Sequence, residues 1–246
     1  MLIAAAICAV LAVLAFLGAR HNRGRLRRFA EVPTYDAAQI GQVAADAPGM
    51  RVELKGRAGA GPGGPVTAPL TESPCVWYRT RTSVRTRRTS RDSEGRTRTT
   101  QSDQTLSDET SKTPFMLVDA SGAVPLDPDG ASIDQPREVA DRFERGAPSV
   151  SVRIGPVTLG GDGDVIGYRY EEWVIREGDP LYVLGGAHGD AERPEVRKPR
   201  DGQYLISLRS EEELMESAGK WGTVFVLSAA ALAVAALVLA VLGVVL

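Results

Sequence analysis

Two long apolar runs near the ends of the chain constrain its fold more than any other feature. Residues 2–19 and residues 222–246 contain no charged side chain. At 1.5 Å of rise per residue the runs would extend about 27 Å and about 37 Å, against a hydrocarbon core of roughly 30 Å. The pattern predicts the fold class of a membrane protein with two transmembrane helices and one soluble domain between them.

The basic residues next to the first run indicate whether it is cleaved or retained, and on which side of the membrane the soluble domain lies. The juxtamembrane segment 20–33 is rich in arginine and follows the apolar run, whereas a cleaved signal peptide has its positive charge before that run. The order favours a retained anchor. By the positive-inside rule, we expect an integral cell-membrane protein whose soluble domain is cytoplasmic. Small residues four apart in both runs are compatible with a homo-oligomer.

The segment 34–210 has the pattern of a β-rich soluble domain. A short helix is predicted to begin near Thr34, and after it come short runs of Val, Thr and aromatic residues separated by Gly, Pro and Asp turns. This spacing favours a mainly antiparallel small barrel or sandwich. Its longest element is an arginine-rich hairpin over 75–106, and residues 190–200 are predicted to be a solvent loop.

A second helix is predicted over 211–246, running into the second apolar stretch at 222–246. Ser210 and Glu213 have the spacing of a capping box, which marks a helix that begins at Glu211.

Few side chains in the sequence are suited to metal binding or nucleophilic catalysis. The chain has two cysteines and two histidines, and none stands at the spacing of a zinc site. Cys75 has no nearby histidine to activate it and shares a strand face with Trp77, so we expect it to pack in the wall of the domain. The neighbouring Glu171 and Glu172 point to opposite faces of a strand and cannot act as a pair. We predict no catalytic site, no bound metal and no cofactor.

Arginines along the predicted hairpin form the one candidate contact surface. The favoured interpretation is that these are solvated charges that protect a long strand edge. Because guanidinium groups bind phosphate well, anionic lipid headgroups are the candidate ligands of this surface, and an acidic protein partner is a further alternative. Nucleic acid is the least favoured partner, because the hairpin beyond Tyr78 lacks aromatic residues that stack on bases. The candidate residues are Arg79, Arg81, Arg85, Arg87, Arg88, Arg96 and Arg98.

Three ordered stretches of the sequence resemble the GIDE-domain family. They read "PLTESPCVWYRT", "PFMLVDASGAVPLDPDGA" and "YRYEEWVIREGDPLYVLGGA". The family places one β-rich domain between two membrane spans, and its best-known members are mitochondrial outer-membrane E3 ubiquitin ligases with a RING finger after the second span. In those eukaryotic members the domain lies in the intermembrane space. A RING finger needs about eight Cys or His ligands for its zinc ions, so we expect the RING to be absent here.

These observations lead to one principal functional hypothesis and two alternatives. The principal hypothesis is a non-catalytic, two-span membrane protein that presents a GIDE-like interaction or scaffolding domain to an unidentified protein partner. The resemblance implies the first alternative, an E3 ubiquitin transferase-like membrane component. The second alternative is a sensor of anionic lipid surfaces that acts through the arginine-rich hairpin.

Overall fold

The structure is a computed structural model that describes residues 32–91, 94–146 and 164–217, together with residues 10, 11, 13, 228 and 231. Within these residues no helix is long and apolar enough to cross a membrane. The predicted fold class with two transmembrane helices is therefore wrong for the described structure. A span needs about 20 consecutive apolar helical residues, whereas the described helical segments have at most seven. Most of the predicted segments 2–19, 20–33 and 222–246 lies outside the described residues.

Nearly all of the described secondary structure is β-strand. Residues Thr34–Leu208 form one compact unit that contains every described strand. In chain order its elements are a 3-10 helix Ala37–Gln39, helix α1 Ile40–Asp46, and strands β1 Arg51–Gly59, β2 Val66–Thr67, β3 Pro74–Cys75, β4 Trp77–Arg91, β5 Thr97–Thr110, β6 Phe115–Val118, β7 Ala123–Leu126, β8 Ser132–Asp134, β9 Arg137–Arg145, β10 Asp164–Ile175, β11 Pro180–Gly189, β12 Pro194–Arg197 and β13 Leu205–Ser207.

The larger sheet contains a ring of five strands. Its order is β1-β6-β7-β12-β11-β13-β8, and β1 also pairs with β11, so that β1, β6, β7, β12 and β11 close on themselves. Most pairs are antiparallel, but β12 runs parallel to β7 and β13 runs parallel to β8. Val52 and Leu54 of β1 are both fully buried in the main core.

A second sheet, of four strands, contains the predicted hairpin, and β2 pairs with β3 in a separate two-stranded sheet. The order of the four-stranded sheet is β5-β4-β10-β9, and every pair is antiparallel. β4 and β5 have 15 and 14 residues, and their register shifts between Thr82 and Ser83 because Leu106 bulges from β5. The described part of β10 begins at Asp164, which pairs with Arg87, and residues 147–163 before it lie outside the described residues.

Short helical segments lie where the sequence predicts helices. The 3-10 helix and α1 follow Thr34, and a carboxylate oxygen of Asp119 accepts a hydrogen bond from the Ala37 N–H at 2.7 Å. Outside the compact unit, helix α2 covers 211–217. Its predicted capping box is confirmed, because the Ser210 N–H donates to the Glu213 carboxylate at 3.1 Å and the Glu213 N–H donates to the Ser210 hydroxyl at 3.2 Å.

The prediction of a solvent loop over 190–200 is wrong in its centre. Strand β12 lies within this segment, and Val196 is fully buried. Val196 pairs with Leu126 of β7, a contact that closes the strand ring. One apolar residue among charged ones gives no local signal for a strand, so the pairing was not visible in the sequence.

Candidate interaction surface

Cys75 lies in the wall of the domain, as predicted. Its side chain is 2% exposed and packs with Ala68 and Val174. Burial raises the pKa of the Cys75 thiol, and the negative charge of Glu172 raises it further. A shielded thiol with a raised pKa is a poor nucleophile, so Cys75 has a structural role. Trp77 belongs instead to the main core, because β3 ends at Cys75 and a separate strand begins at Trp77.

Glu172 is a buried carboxylate that holds a loop. Its side chain is fully buried in β10, and it accepts hydrogen bonds from the Leu70 N–H at 2.7 Å and from the Thr71 N–H at 3.0 Å. The Thr71 hydroxyl donates a third bond at 2.6 Å. Glu171 lies on the opposite face, with its carboxylate 3.6 Å from Arg169. The two carboxylates therefore do not form a catalytic pair, in agreement with the sequence prediction.

Carboxylates of β5 hold three of the predicted contact arginines. Arg79 donates to both oxygens of Asp108 at 2.6 and 2.7 Å, and Arg81 donates twice to one of those oxygens at 3.0 and 2.9 Å. Arg85 donates to both oxygens of Asp103 at 2.7 Å. Bidentate pairs of this kind are strong and fix the guanidinium orientation. These arginines are therefore part of a charged ladder across the sheet.

The ion pairs shift the pKa values of both partners. The Arg79 guanidinium, assisted by Arg81, holds the pKa of Asp108 below its usual range, and Arg85 does the same for the pKa of Asp103. The hydrogen bond to Asp108 in turn raises the pKa of Arg79. Four of these groups are thus charged over the physiological pH range, namely Arg79, Arg85, Asp103 and Asp108, and the ion pairs neutralise most of their charge.

Aromatic rings lie under the same guanidinium groups. Arg79 and Arg81 stand over the Trp173 ring at 5.8 and 5.6 Å from its centroid, and Arg85 stands over Phe143 at 5.2 Å. Stacking and ion pairing together reduce the freedom of these arginines to bind an external anion. Binding of an external anion is therefore less favourable at Arg79, Arg81 and Arg85, which lie at the base of the hairpin.

The remaining predicted arginines lie farther along the hairpin, toward its turn. Arg87, Arg88 and Arg98 are exposed, and no ion pair joins them to another described residue. Arg91 was outside the predicted contact set and has the same properties. Arg96 differs, because its guanidinium lies 3.1 Å from the Glu94 carboxylate in the turn. Among the described arginines of the hairpin, those without an ion pair therefore lie beyond its base.

A cleft of about 450 Å³ opens beside the hairpin base. It is lined by Trp77 and Trp173, by residues 128–133 from the turn before β8 and from β8 itself, and by Pro136. Two ion pairs also line it, namely Arg79 with Asp108 and Lys112 with Asp129, the second at 3.1 Å. This cleft was not predicted from the sequence, because the residues that line it come from segments that are far apart in the chain.

Metal-ligating side chains are not clustered in the described part of the chain. Within 32–91, 94–146 and 164–217, no group of three His, Cys, Asp or Glu side chains is arranged to hold a metal ion. The cleft instead combines aromatic rings, hydroxyl groups and paired charges, which suits binding of a peptide-like group.

Fold and surface together define a β domain of three sheets among the described residues, with a closed strand ring, an arginine-rich hairpin and a cleft beside the hairpin base. The sequence model of the GIDE family, described as E3 ubiquitin ligase, matches residues 84–242. The match covers more than half of the chain, so the chain belongs to the GIDE family, and the predicted resemblance is confirmed. A comparison with curated proteins and a comparison with solved structures each find no match.

Proposed function

We propose that this chain is a non-catalytic interaction domain that binds a protein partner at the cleft beside Trp77 and Trp173. The cleft carries the proposal, because it presents the partly exposed Trp173 ring next to Arg79 and paired charges. Tryptophan and arginine are enriched among the residues that dominate protein–protein binding energy. The exposed Lys112–Asp129 pair is placed to form a polar rim around such a contact.

The composition of the chain supports a role other than direct ubiquitin transfer. A RING finger needs about eight Cys or His ligands, and these 246 residues contain two cysteines and two histidines. A ligase that forms a thioester needs an accessible thiol, whereas Cys75 is buried. The described part of the domain thus supports a binding role.

The family match favours a second candidate function. A member of a family described as E3 ubiquitin ligase can serve as an E3-like component that recruits a separate catalytic protein. This candidate uses the same cleft and differs in the identity of the partner. Discharge of a ubiquitin-charged conjugating enzyme separates the two. We expect the full chain alone to leave the discharge rate unchanged, and acceleration by the chain alone would contradict a non-catalytic role.

Site-specific crosslinking tests the binding role of the cleft. A photoreactive amino acid replaces Lys112 at the cleft rim in one variant, and in a matched control it replaces Glu192, an exposed residue that does not line the cleft. We expect a discrete crosslinked product from the Lys112 position only, and its loss when Trp173→Ala is added to a chain whose circular dichroism spectrum is unchanged. Equal crosslinking from both positions, or crosslinking that survives Trp173→Ala, would contradict the proposal.

A further inference from the structure

The charges that line the cleft beside the hairpin base are balanced. Its described lining contains two basic and two acidic side chains, and both carboxylates are engaged. Asp108 accepts hydrogen bonds from Arg79 and Arg81, and the Asp129 carboxylate lies 3.1 Å from the Lys112 ammonium group. A cleft whose charges are already paired does not complement an ionic ligand. The charge balance therefore favours a neutral ligand.

Trp77 contributes a buried hydrogen-bond donor to this cleft. The residue is 3% exposed, and no described residue accepts a hydrogen bond from its indole N–H. Among the described residues, the Tyr170 hydroxyl is the one buried side-chain polar group that is fully enclosed without a partner, so the Trp77 N–H keeps contact with open space. The open space that Trp77 lines is the cleft. A buried donor costs free energy until an acceptor reaches it, so this N–H is placed to bind an acceptor on a ligand.

Further donors stand beside this indole. The Trp173 ring lies under the guanidinium groups of Arg79 and Arg81, at 5.8 and 5.6 Å from its centroid, which restricts the ring at the cleft. No described residue accepts a hydrogen bond from its indole N–H either. The Ser111 hydroxyl accepts from the Tyr78 N–H at 3.3 Å and retains its own O–H for donation. The apolar part of the lining consists of Pro128, Ala131, Ile133 and Pro136.

This combination of groups selects one kind of peptide ligand. The main-chain carbonyl is the neutral acceptor that every protein supplies. An ordinary segment brings an N–H donor with each carbonyl, whereas the carboxylates of the cleft are already engaged, and each buried unpaired donor opposes binding. Proline has a carbonyl group but no N–H, and a proline-rich segment in the polyproline II conformation makes no internal hydrogen bonds.

We propose that the cleft binds a proline-rich segment of the partner protein in the polyproline II conformation, with carbonyl groups that accept hydrogen bonds from the indole N–H groups of Trp77 and Trp173. The proposal rests on the proposed function, because it names the class of partner for the same cleft. Such segments dock in aromatic-lined grooves, since their extended conformation is preformed and little entropy is lost on binding. The cleft volume of about 450 Å³ lies within the range of about 300–1,000 Å³ that is usual for ligand sites.

Nuclear magnetic resonance of the full chain labelled with ¹⁵N-tryptophan tests the proposal at the groups it names. The chain has three tryptophans, and Trp→Phe variants assign their indole N–H signals. We expect a proline decamer to shift the signals of Trp77 and Trp173 in a saturable manner. A glycine–serine decamer should shift neither signal. A decamer of alternating valine and threonine, which has an N–H on every residue, should bind about 10-fold more weakly or not at all.

One substitution separates the donor from the ring that carries it. Trp173→Phe keeps an aromatic ring and removes the indole N–H, and it should weaken binding of the proline decamer about 10-fold, equivalent to about 1.4 kcal/mol. Phe143→Leu is the control, because it changes an exposed ring that does not line the cleft, and it should weaken binding less than about 2-fold. Both variants should retain the circular dichroism spectrum of the unsubstituted chain.

The outcomes distinguish this proposal from the proposed function. Equal shifts with the glycine–serine decamer, tighter binding of the valine–threonine decamer, or full affinity of Trp173→Phe would each overturn the proline-rich ligand. Absence of any indole shift while the Lys112 crosslink persists would refute this proposal and leave the proposed function intact. Absence of both the indole shift and the Lys112 crosslink would refute both.

Discussion

Glu172 and Thr71 form a 2.6 Å hydrogen bond that ties the loop before β3 to the middle of β10. The Glu172 carboxylate also accepts bonds from the main-chain N–H groups of Leu70 and Thr71. It is fully buried, and all three donors point at its two oxygens. A buried carboxylate is stable only when its charge is satisfied in this way. Glu172 therefore organises the segment that leads into the hairpin.

Glu172→Gln should lower the free energy of unfolding by about 2–3 kcal/mol. The amide loses the negative charge and turns an N–H₂ group toward one of the three donors. Urea denaturation followed by circular dichroism measures the change. Glu192→Gln serves as the control, because Glu192 is exposed, and it should change stability by less than about 0.5 kcal/mol. Equal stability of the two variants would show that Glu172 does not hold the loop.

The Asp108 ion pairs should make the domain sensitive to acid. Arg79 and Arg81 hold the pKa of Asp108 below its usual range in the folded state. A carboxylate with a lowered folded-state pKa stabilises the fold above its unfolded pKa of about 3.9, and this stabilisation is lost as the pH falls through the folded pKa. Stability should thus decline as the pH drops below about 4.

Asp108→Asn should flatten this decline, because the variant has no carboxyl group to protonate at that position. Denaturation curves at a series of pH values from neutral to strongly acidic provide the measurement. R79Q/R81Q should flatten the decline in the same way, since removal of both arginines takes away the cause of the lowered pKa. An unchanged acid slope in both variants would contradict the role of these ion pairs.

Local patterns predicted the long hairpin correctly because its signals lie within a short stretch. Its first strand has alternating Thr, Val and Arg, and a polar turn and a threonine-rich second strand follow. Such signals come from nearest neighbours and need no knowledge of distant residues. Arg79, Arg81, Arg85 and Arg87 of β4 share a face, as their spacing predicts.

Distant pairings could not be predicted in the same way. The neutralisation of Arg85 by Asp103 depends on the register of β4 against β5, and the bulge at Leu106 shifts that register by one residue. Asp103 therefore faces Arg85, whereas Asp108 serves Arg79 and Arg81. A one-residue shift moves side chains to the other face of the sheet. The sequence pattern therefore could not predict which arginines of the hairpin form ion pairs with aspartates. The cleft, built from separate segments, was missed for the same reason.

Cys75 should react slowly with thiol reagents in the folded protein. Its side chain is buried, and burial with the nearby Glu172 charge raises its pKa, so little thiolate is present at pH 8. In a Cys8→Ser background, we expect labelling of Cys75 by an impermeant maleimide to be at least about 100-fold faster in guanidinium than in buffer. Adding Thr99→Cys, on the exposed part of β5, provides a fast-reacting control in the same chain. Rapid native labelling of Cys75 would contradict its place in the wall.

Gly167 sits at the bulge of β10 against β4, between Arg85 and Arg145 of the flanking strands. A Cβ atom there would overlap the Glu144 carbonyl oxygen and lie 2.8 Å from Phe143 Cζ. Because a main-chain oxygen cannot move aside easily, Gly167→Ala should lower the free energy of unfolding by about 2–3 kcal/mol. The substitution also displaces the ring that Arg85 stacks on. Gly63→Ala is the control, since no atom lies within 4 Å of its added Cβ, and it should be neutral or slightly stabilising. Chemical denaturation measures the free energy of unfolding of both variants, provided that its dependence on denaturant concentration is unchanged. A neutral Gly167→Ala would show that β9 and β10 are packed less closely than the structure describes.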